Sequence, residues 1–364
     1  MTMKNCTYLL ISLMTILFFP CQAKERFPSR INLSLKTKRL SSLDYHRGFK
    51  VSKFKKINKV RSRLFQKKPF KIVRYNTFEV ELTPTHPSKE EAPLQKFLYL
   101  KRDDNVKRPL VILIPSIMEV TVLEKLVARG LIRRGFNVFL LYLNKMPIDN
   151  NRETSELFKT AKSILTGIRR TIDFAETRPN IDATKIGTWG NSFGGILNAF
   201  LAGSEPRIGA LYISVAGGNF ADILTTSQST IAAPYREHRM EKEKLDLKNF
   251  KKKLKRIITI DPLDLAHNRS REDVYMNIDV KDTVVSAKHQ VSLWEAFGRP
   301  RCRIFLREHF YAVIAANAYY NQDYFSFFEE KLLNKHRGLK KAPFGECHFK
   351  KKGKKTKSPY DFSF

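Results

Sequence analysis

Acidic residues are scarce in this chain: 35 Asp and Glu stand against 67 Lys and Arg, a formal net charge of +32. Such a surface attracts anionic partners, whether nucleic acid, acidic lipid or polyanionic glycan. No recognised nucleic-acid reader motif accompanies the charge. Cysteine is rare too, with four in 364 residues. Cys6 and Cys21 fall near the start, which leaves Cys302 and Cys347. Their spacing fits no metal site and no Cys/His cluster exists, so neither a metal nor another cofactor is expected. In an oxidising compartment Cys302 and Cys347 can pair and pin the C-terminal end to the last strand; two lone thiols fit the sequence equally well. No internal repeat is visible, and no apolar run is long enough to span a bilayer.

The longest such run, Tyr8 to Phe19, has the length of a secretory signal. Lys4 precedes it, Pro20 breaks it, and Cys21-Gln22-Ala23 supplies the small residues that a signal peptidase reads. Residues 1–23 therefore read as a signal peptide cleaved after Ala23, and the protein as exported, periplasmic or secreted. Lipid attachment at Cys21 fits less well, because Phe18-Phe19-Pro20 lacks small residues before the cysteine. An uncleaved anchor is the plain alternative.

What is present suffices for one large α/β domain or two small ones, since 42% of the chain is hydrophobic. Residues 24–71 are basic and poor in regular pattern, which reads as an arm, partly ordered at best. The arm either wraps the domain, touches an anionic partner such as a membrane or cell-envelope polymer, or is a solvated segment. Residues 335–364 are again basic and without period, and disorder is expected there.

Between these ends strands and helices alternate. Phe78–Leu82 alternates apolar and charged, a half-exposed strand. Pro109–Pro115 and Phe136–Leu143 are continuous apolar runs, the mark of strands covered on both faces. Helices are expected over about 120–134, closed by Gly135, and over about 153–177. A strand over about 207–215 follows, then charge-rich residues at about 218–260, read as an inserted helical cap with Phe250 and Leu254 turned inward. Strands resume at 273–278 and 302–306, and one long helix is expected from His309 to about Leu333. The result is a doubly wound, mostly parallel sheet over 72–334 with a helical cap insertion.

The stretch from Lys185 to Leu197 is the focus of this pattern. It reads as a strand, a turn Gly190-Asn191-Ser192-Phe193-Gly194, and an apolar helix. A serine on such a turn is lifted above the sheet, and the flanking glycines are needed where strand and helix approach too closely for a Cβ. A serine alone is a weak nucleophile; it needs a base, and the base needs an orienting acid. Asp282 lies in a loop just after a strand and His309 just after the last one, so both can converge on Ser192 at the carboxyl ends of the strands. Asp279 competes with Asp282, which is favoured by its place before Val284-Val285. His289, His267 and His238 compete with His309 from helical or cap contexts. Asp261 and Asp264 read as helix caps.

Taken together, the serine turn after a central strand, the acid in Asp282-Thr283-Val284-Val285 and the late His309 resemble the α/β-hydrolase superfamily over about residues 75–334. The nearest branches are the esterases related to dienelactone hydrolases and prolyl-oligopeptidase-like enzymes. The resemblance implies a serine hydrolase in which Ser192 attacks a small-molecule or lipid acyl ester, His309 moves the proton and Asp282 holds the imidazole. It implies an oxyanion hole from the Phe193 N–H and a second donor at Ser116 or Ile117. Many relatives carry His-Gly or a glycine run where this chain has Pro115-Ser116-Ile117-Met118. That departure and the charge leave a second reading, a catalytically weak or inactive protein of the same fold that binds an anionic partner through its basic segments.

Overall fold

The computed structural model describes residues 45, 47–63, 72–85, 94–116, 120–143 and 145–335. The expected signal peptide, the residues from 336 onward and Ile117 lie outside the described residues. Nine strands form one sheet: β1 (Phe49–Arg63), β2 (Ile72–Pro84), β3 (Gln95–Arg102), β4 (Arg108–Ile114), β5 (Asn137–Leu141), β6 (Ile181–Asn191), β7 (Ile208–Ser214), β8 (Val274–Asp279) and β9 (Arg301–Phe305). Their order is β1-β2-β3-β5-β4-β6-β7-β8-β9. The first three strands and β5 pair antiparallel. From β5 through β9 every pairing is parallel.

The helices are α1 (Val122–Arg134), α2 (Leu157–Glu176), α3 (Ser192–Ser204), α4 (Phe220–Thr226), α5 (Ala232–Lys242), α6 (Leu247–Ile257), α7 (Pro262–Ala266), α8 (Ala287–Ala296), α9 (His309–Ala318) and α10 (Asn321–Leu333). Alternation along the central strands divides the core between two faces. Leu110, Ile112 and Ile114 of β4 join α2, α3 and the residues between β7 and β8 on one side. Val111 and Leu113 join α1 and α10 on the other, around Trp189 and Tyr212. Gly135 closes α1 at φ +102°, a left-handed cap that favours glycine.

The basic stretch read as an irregular arm is corrected in part, because residues 49–63 form the edge strand β1. Its register against β2 shifts between Val51 and Lys53 and again between Lys56 and Asn58. Each bulge breaks the two-residue alternation by one place, so no strand period survives in the sequence. Phe54 stacks on Phe78 with ring centroids 4.9 Å apart, which fixes the strand to the sheet. Lysines on the outer face blunt a free edge that would otherwise invite pairing with another chain. Tyr45, just before this strand, donates to Asp173 of α2.

The insertion between β7 and β8 consists of α4, α5 and α6 and then α7, and Phe250 and Leu254 are both buried as expected. Asp261 clamps its two ends together. Its carboxylate accepts from the N–H groups of Asn219 and Phe220 at 2.8 and 2.6 Å, and it also caps α7 with Asp264. Arg239 of α5 is wholly enclosed and pairs with Glu153 at 2.8 Å and Glu243 at 2.7 Å, docking the insertion on the loop after β5. Removing both carboxylates would leave the enclosed guanidinium a desolvated charge without a counter-ion.

One further difference lies at the C-terminal side. The single helix expected from His309 to Leu333 is two helices. The N–H groups of Tyr319 and Tyr320 both donate to the Ala315 carbonyl at 3.0 Å, which ends α9. The chain then turns so that Asp323 pairs with Arg303, and α10 packs across the sheet face opposite α2. Cys302 on β9 is disulfide-bonded, and its partner lies outside the described residues.

Candidate active site

Consecutive strands β4 and β5 pair, and β6 then returns to the other flank of β4. At that reversal the loops leaving the strand ends diverge and open a crevice. Ser192 follows β6 there and opens α3. Its φ is +51°, a left-handed conformation that a non-glycine residue rarely adopts. The glycines around it have a steric reason. A Cβ on Gly190 would lie 2.4 Å from the Gly194 carbonyl oxygen, and one on Gly194 would lie 2.3 Å from the Ile114 carbonyl oxygen. A Cβ on Gly195 would meet Ala216 at 2.7 Å. The helix therefore turns back hard against the strand it leaves, and its first turn rests on the end of β4.

His309 stands at the start of α9. Its Nε2 is 2.8 Å from Ser192 Oγ and its Nδ1 is 2.6 Å from Asp282 Oδ2. A carboxylate beside Nδ1 fixes the proton on that nitrogen, so the Nε2 lone pair faces the serine hydroxyl. The Asp282 side chain is fully enclosed. Its Oδ1 accepts from the N–H groups of Val284 and Val285 at 2.7 and 2.8 Å. This is why an acid two residues before that pair of valines is held so firmly. Asp279, the competing acid, does not reach the imidazole. Its Oδ1 accepts instead from the N–H groups of Lys281 and Arg307 at 3.2 and 2.9 Å. It thus ties the loop of Asp282 to the strand end that precedes His309. Burial pushes the Asp279 carboxyl up to about 6.

The competing histidines sit elsewhere. His289 is buried on α8, where the Gly218 N–H donates to its carbonyl and burial lowers its pKa. His238 is exposed on α5 and His267 is exposed at the end of α7.

One residue that the sequence reading missed completes the arrangement. Gln290 on α8 is fully buried, and its Nε2 donates to Asp282 Oδ2 at 2.8 Å and to the Val285 carbonyl at 2.6 Å. Its Oε1 accepts from the Asp279 N–H at 3.0 Å. Gln290 shares the inward stripe of α8 with Ala287, Leu293 and Trp294. A polar residue on an apolar stripe was the available signal, because a buried amide needs partners for all its polar atoms. Gln290→Leu should lower kcat by about 10- to 100-fold, the equivalent of one charge-assisted hydrogen bond. KM should stay near wild type, since Gln290 acts only by positioning Asp282; steady-state kinetics across pH checks both.

For the oxyanion, Phe193 lies in the first turn of α3, where N–H groups have no intrahelical acceptor. The contact of Gly194 with Ile114 and Pro115 brings the start of the loop after β4, with half-buried Ser116, beside that turn. Ile117, the other candidate, is outside the described residues. Among the described residues no group of His, Cys, Asp and Glu side chains could hold a metal ion.

With this geometry in place, comparisons with known proteins locate the chain. Residues 97–242 match the Dienelactone hydrolase family. The match contains Ser192 and stops short of Asp282 and His309. No curated protein matches the sequence. Among solved structures, the acetyl xylan esterase from Paenibacillus sp. R4 is similar at a TM-score of 0.51 and 14% identity, over 81% of this chain and 92% of that one. Acetyl xylan esterase 1 from Thermoanaerobacterium sp. JW/SL YS485 is similar at 0.51 and 16% identity, over 75% and 88%. Identity at this level speaks for the shared α/β-hydrolase fold.

Proposed function

We propose, taking the α/β-hydrolase fold and the dienelactone hydrolase match as premise, that this chain is a serine hydrolase cleaving carboxylic esters through an acyl-enzyme. The observation that carries the reading is the unbroken hydrogen-bond chain from Ser192 Oγ through His309 to Asp282, with the serine held at a strained positive φ. A binding protein gains nothing from keeping a nucleophile, a base and an enclosed acid in line.

In the first half-reaction His309 Nε2 takes the Ser192 hydroxyl proton as Oγ bonds to the ester carbonyl carbon. The tetrahedral oxyanion is met by the Phe193 N–H and a second donor from residues 116–117. The bond to the alcohol oxygen then breaks, and His309 returns the proton to the leaving alcohol. Water enters, loses a proton to His309 and attacks the acyl carbon. The bond to Ser192 breaks, the acid departs and Oγ recovers its proton. Asp282 stabilises the imidazolium through Nδ1 in both halves. The enclosed Arg239 and the Asp261 clamp hold the helical insertion on the body, where it can shape access to the site. Export and attraction to an anionic surface through the basic segments belong to the same proposal.

Hydrolysis of p-nitrophenyl esters of graded acyl length tests it. Turnover should exceed the buffer rate for at least one chain length. Rates equal to buffer across the series would reject esterase activity.

A further inference from the structure

Helix α9 is built inside out. It buries its small residues: Ala312, Ala315 and Ala316 are at most 1% exposed and pack against Val215 and Phe305. It presents its large ones to solvent. Phe310 is 67% exposed and Tyr311 57%, with Ile314 one turn further along the same face. Leu306 before the helix and Tyr319 and Tyr320 after it extend the surface, with Tyr319 at 69%. An ordinary surface helix does the reverse, turning its large apolar side chains to the core. Contiguous apolar exposure of this kind marks an interaction site.

The charge pattern says what kind. From His309 to Gln322 there is no Asp, Glu, Lys or Arg, in a chain whose charged content is 28%. The helical part of the face is thus an uncharged window in a molecule of net charge +32, with the exposed Arg307 and Glu308 between it and Leu306. A second copy of the chain would bring the same positive charge to the contact. An anionic bilayer meets both demands at once. Its negative surface attracts the cationic body, and its interface takes up Phe, Leu and Ile while Tyr hydroxyls stay at headgroup level.

We infer that the α9 face, formed by Leu306, Phe310, Tyr311, Ile314, Tyr319 and Tyr320, is a docking surface for an anionic lipid bilayer. Phe310 of this face is the chain neighbour of His309, whose ring contacts Ser192. A molecule docked in this way holds its reactive serine at the lipid boundary, so the esters within reach are those of acyl lipids or amphiphiles. This last step rests on the proposed esterase reading; the docking itself does not.

The test is sedimentation of the full chain with vesicles of phosphatidylcholine, with and without phosphatidylglycerol. Wild type and Ser192→Ala should both sediment with the phosphatidylglycerol vesicles, because docking needs no catalysis. A Tyr311→Ser/Ile314→Ser/Tyr319→Ser variant should bind on the order of 100-fold more weakly, from the lost apolar insertion. It should hydrolyse a soluble acetyl ester at the wild-type rate, which reports an intact fold. Tyr319→Ser alone, at the most exposed position, should lose several-fold and serves if the triple variant does not fold. Three results overturn the inference. One is wild type that ignores the vesicles, and another is a variant that binds as well as wild type, which would assign attraction to the basic segments alone. The third is a wild-type dimer that the variant dissolves. Docking that persists while no ester is hydrolysed would instead reject the esterase reading and leave the surface standing.

Discussion

Ser192→Ala should lower ester turnover by about 10⁶-fold, to a small residue above the buffer rate that binding and oxyanion contacts sustain. The magnitude follows from loss of the nucleophile itself, which the relay cannot replace. His309 Nε2, 2.8 Å from the hydroxyl oxygen in wild type, would then face only a methyl group. The fold should survive, because alanine removes one oxygen and leaves the packing of Gly190 and Gly194 untouched. The backbone strain at φ +51° remains in the variant, so its Tm should stay close to wild type. Steady-state rates with a p-nitrophenyl ester, set beside thermal unfolding of the same samples, separate the two effects. Loss of Tm by tens of degrees would assign the lost activity to misfolding.

The second large effect distinguishes two acids. Asp282→Asn should lower kcat by about 10⁴-fold, because an amide facing Nδ1 stabilises the wrong tautomer of His309. Asp279→Asn should leave kcat within about tenfold, since its remaining oxygen can still accept from Lys281 and Arg307. It should also change stability in a defined direction. The Asp279 carboxyl titrates near 6 in the fold, above its ordinary 3.8. Between those values the folded state binds more protons than the unfolded state, so wild type loses stability as pH rises through the window. Asparagine carries no such charge. The variant should therefore melt above wild type at pH 7 and converge with it below about pH 4. Unfolding temperature across pH, measured on both proteins, checks the sign. If Asp279→Asn were the inactive variant, the acid assignment would reverse.

The serine turn was legible because its demand is steric and local. Of three glycines within six residues, Gly190 and Gly194 stand where strand end and helix start come within 2.4 Å of a missing Cβ, and Gly195 where Ala216 comes within 2.7 Å. The acid was legible because Asp282 satisfies its own next N–H groups, which ties the residue type to the two valines that follow. The sheet core was legible in β4 and β5, whose continuous apolar runs face helices on both sides. Strand β1 was hidden by its bulges, which shift the alternation twice. The break between α9 and α10 was hidden because the apolar residues there read as a core stripe, while the structure turns the large ones outward. Gln290 was hidden because its partners come from other elements, the end of β8 and the loop after it, and no local spacing announces them.

The central claim is that Ser192 is the reactive nucleophile, activated through His309. Labelling with a fluorophosphonate and mapping of the modified peptide test it most directly, since the reagent requires an activated serine and no knowledge of the substrate. The label should fall on the peptide holding Gly190-Asn191-Ser192-Phe193-Gly194, vanish in Ser192→Ala and fall sharply in His309→Ala. A label at any other residue, or one that persists in Ser192→Ala, would contradict the account.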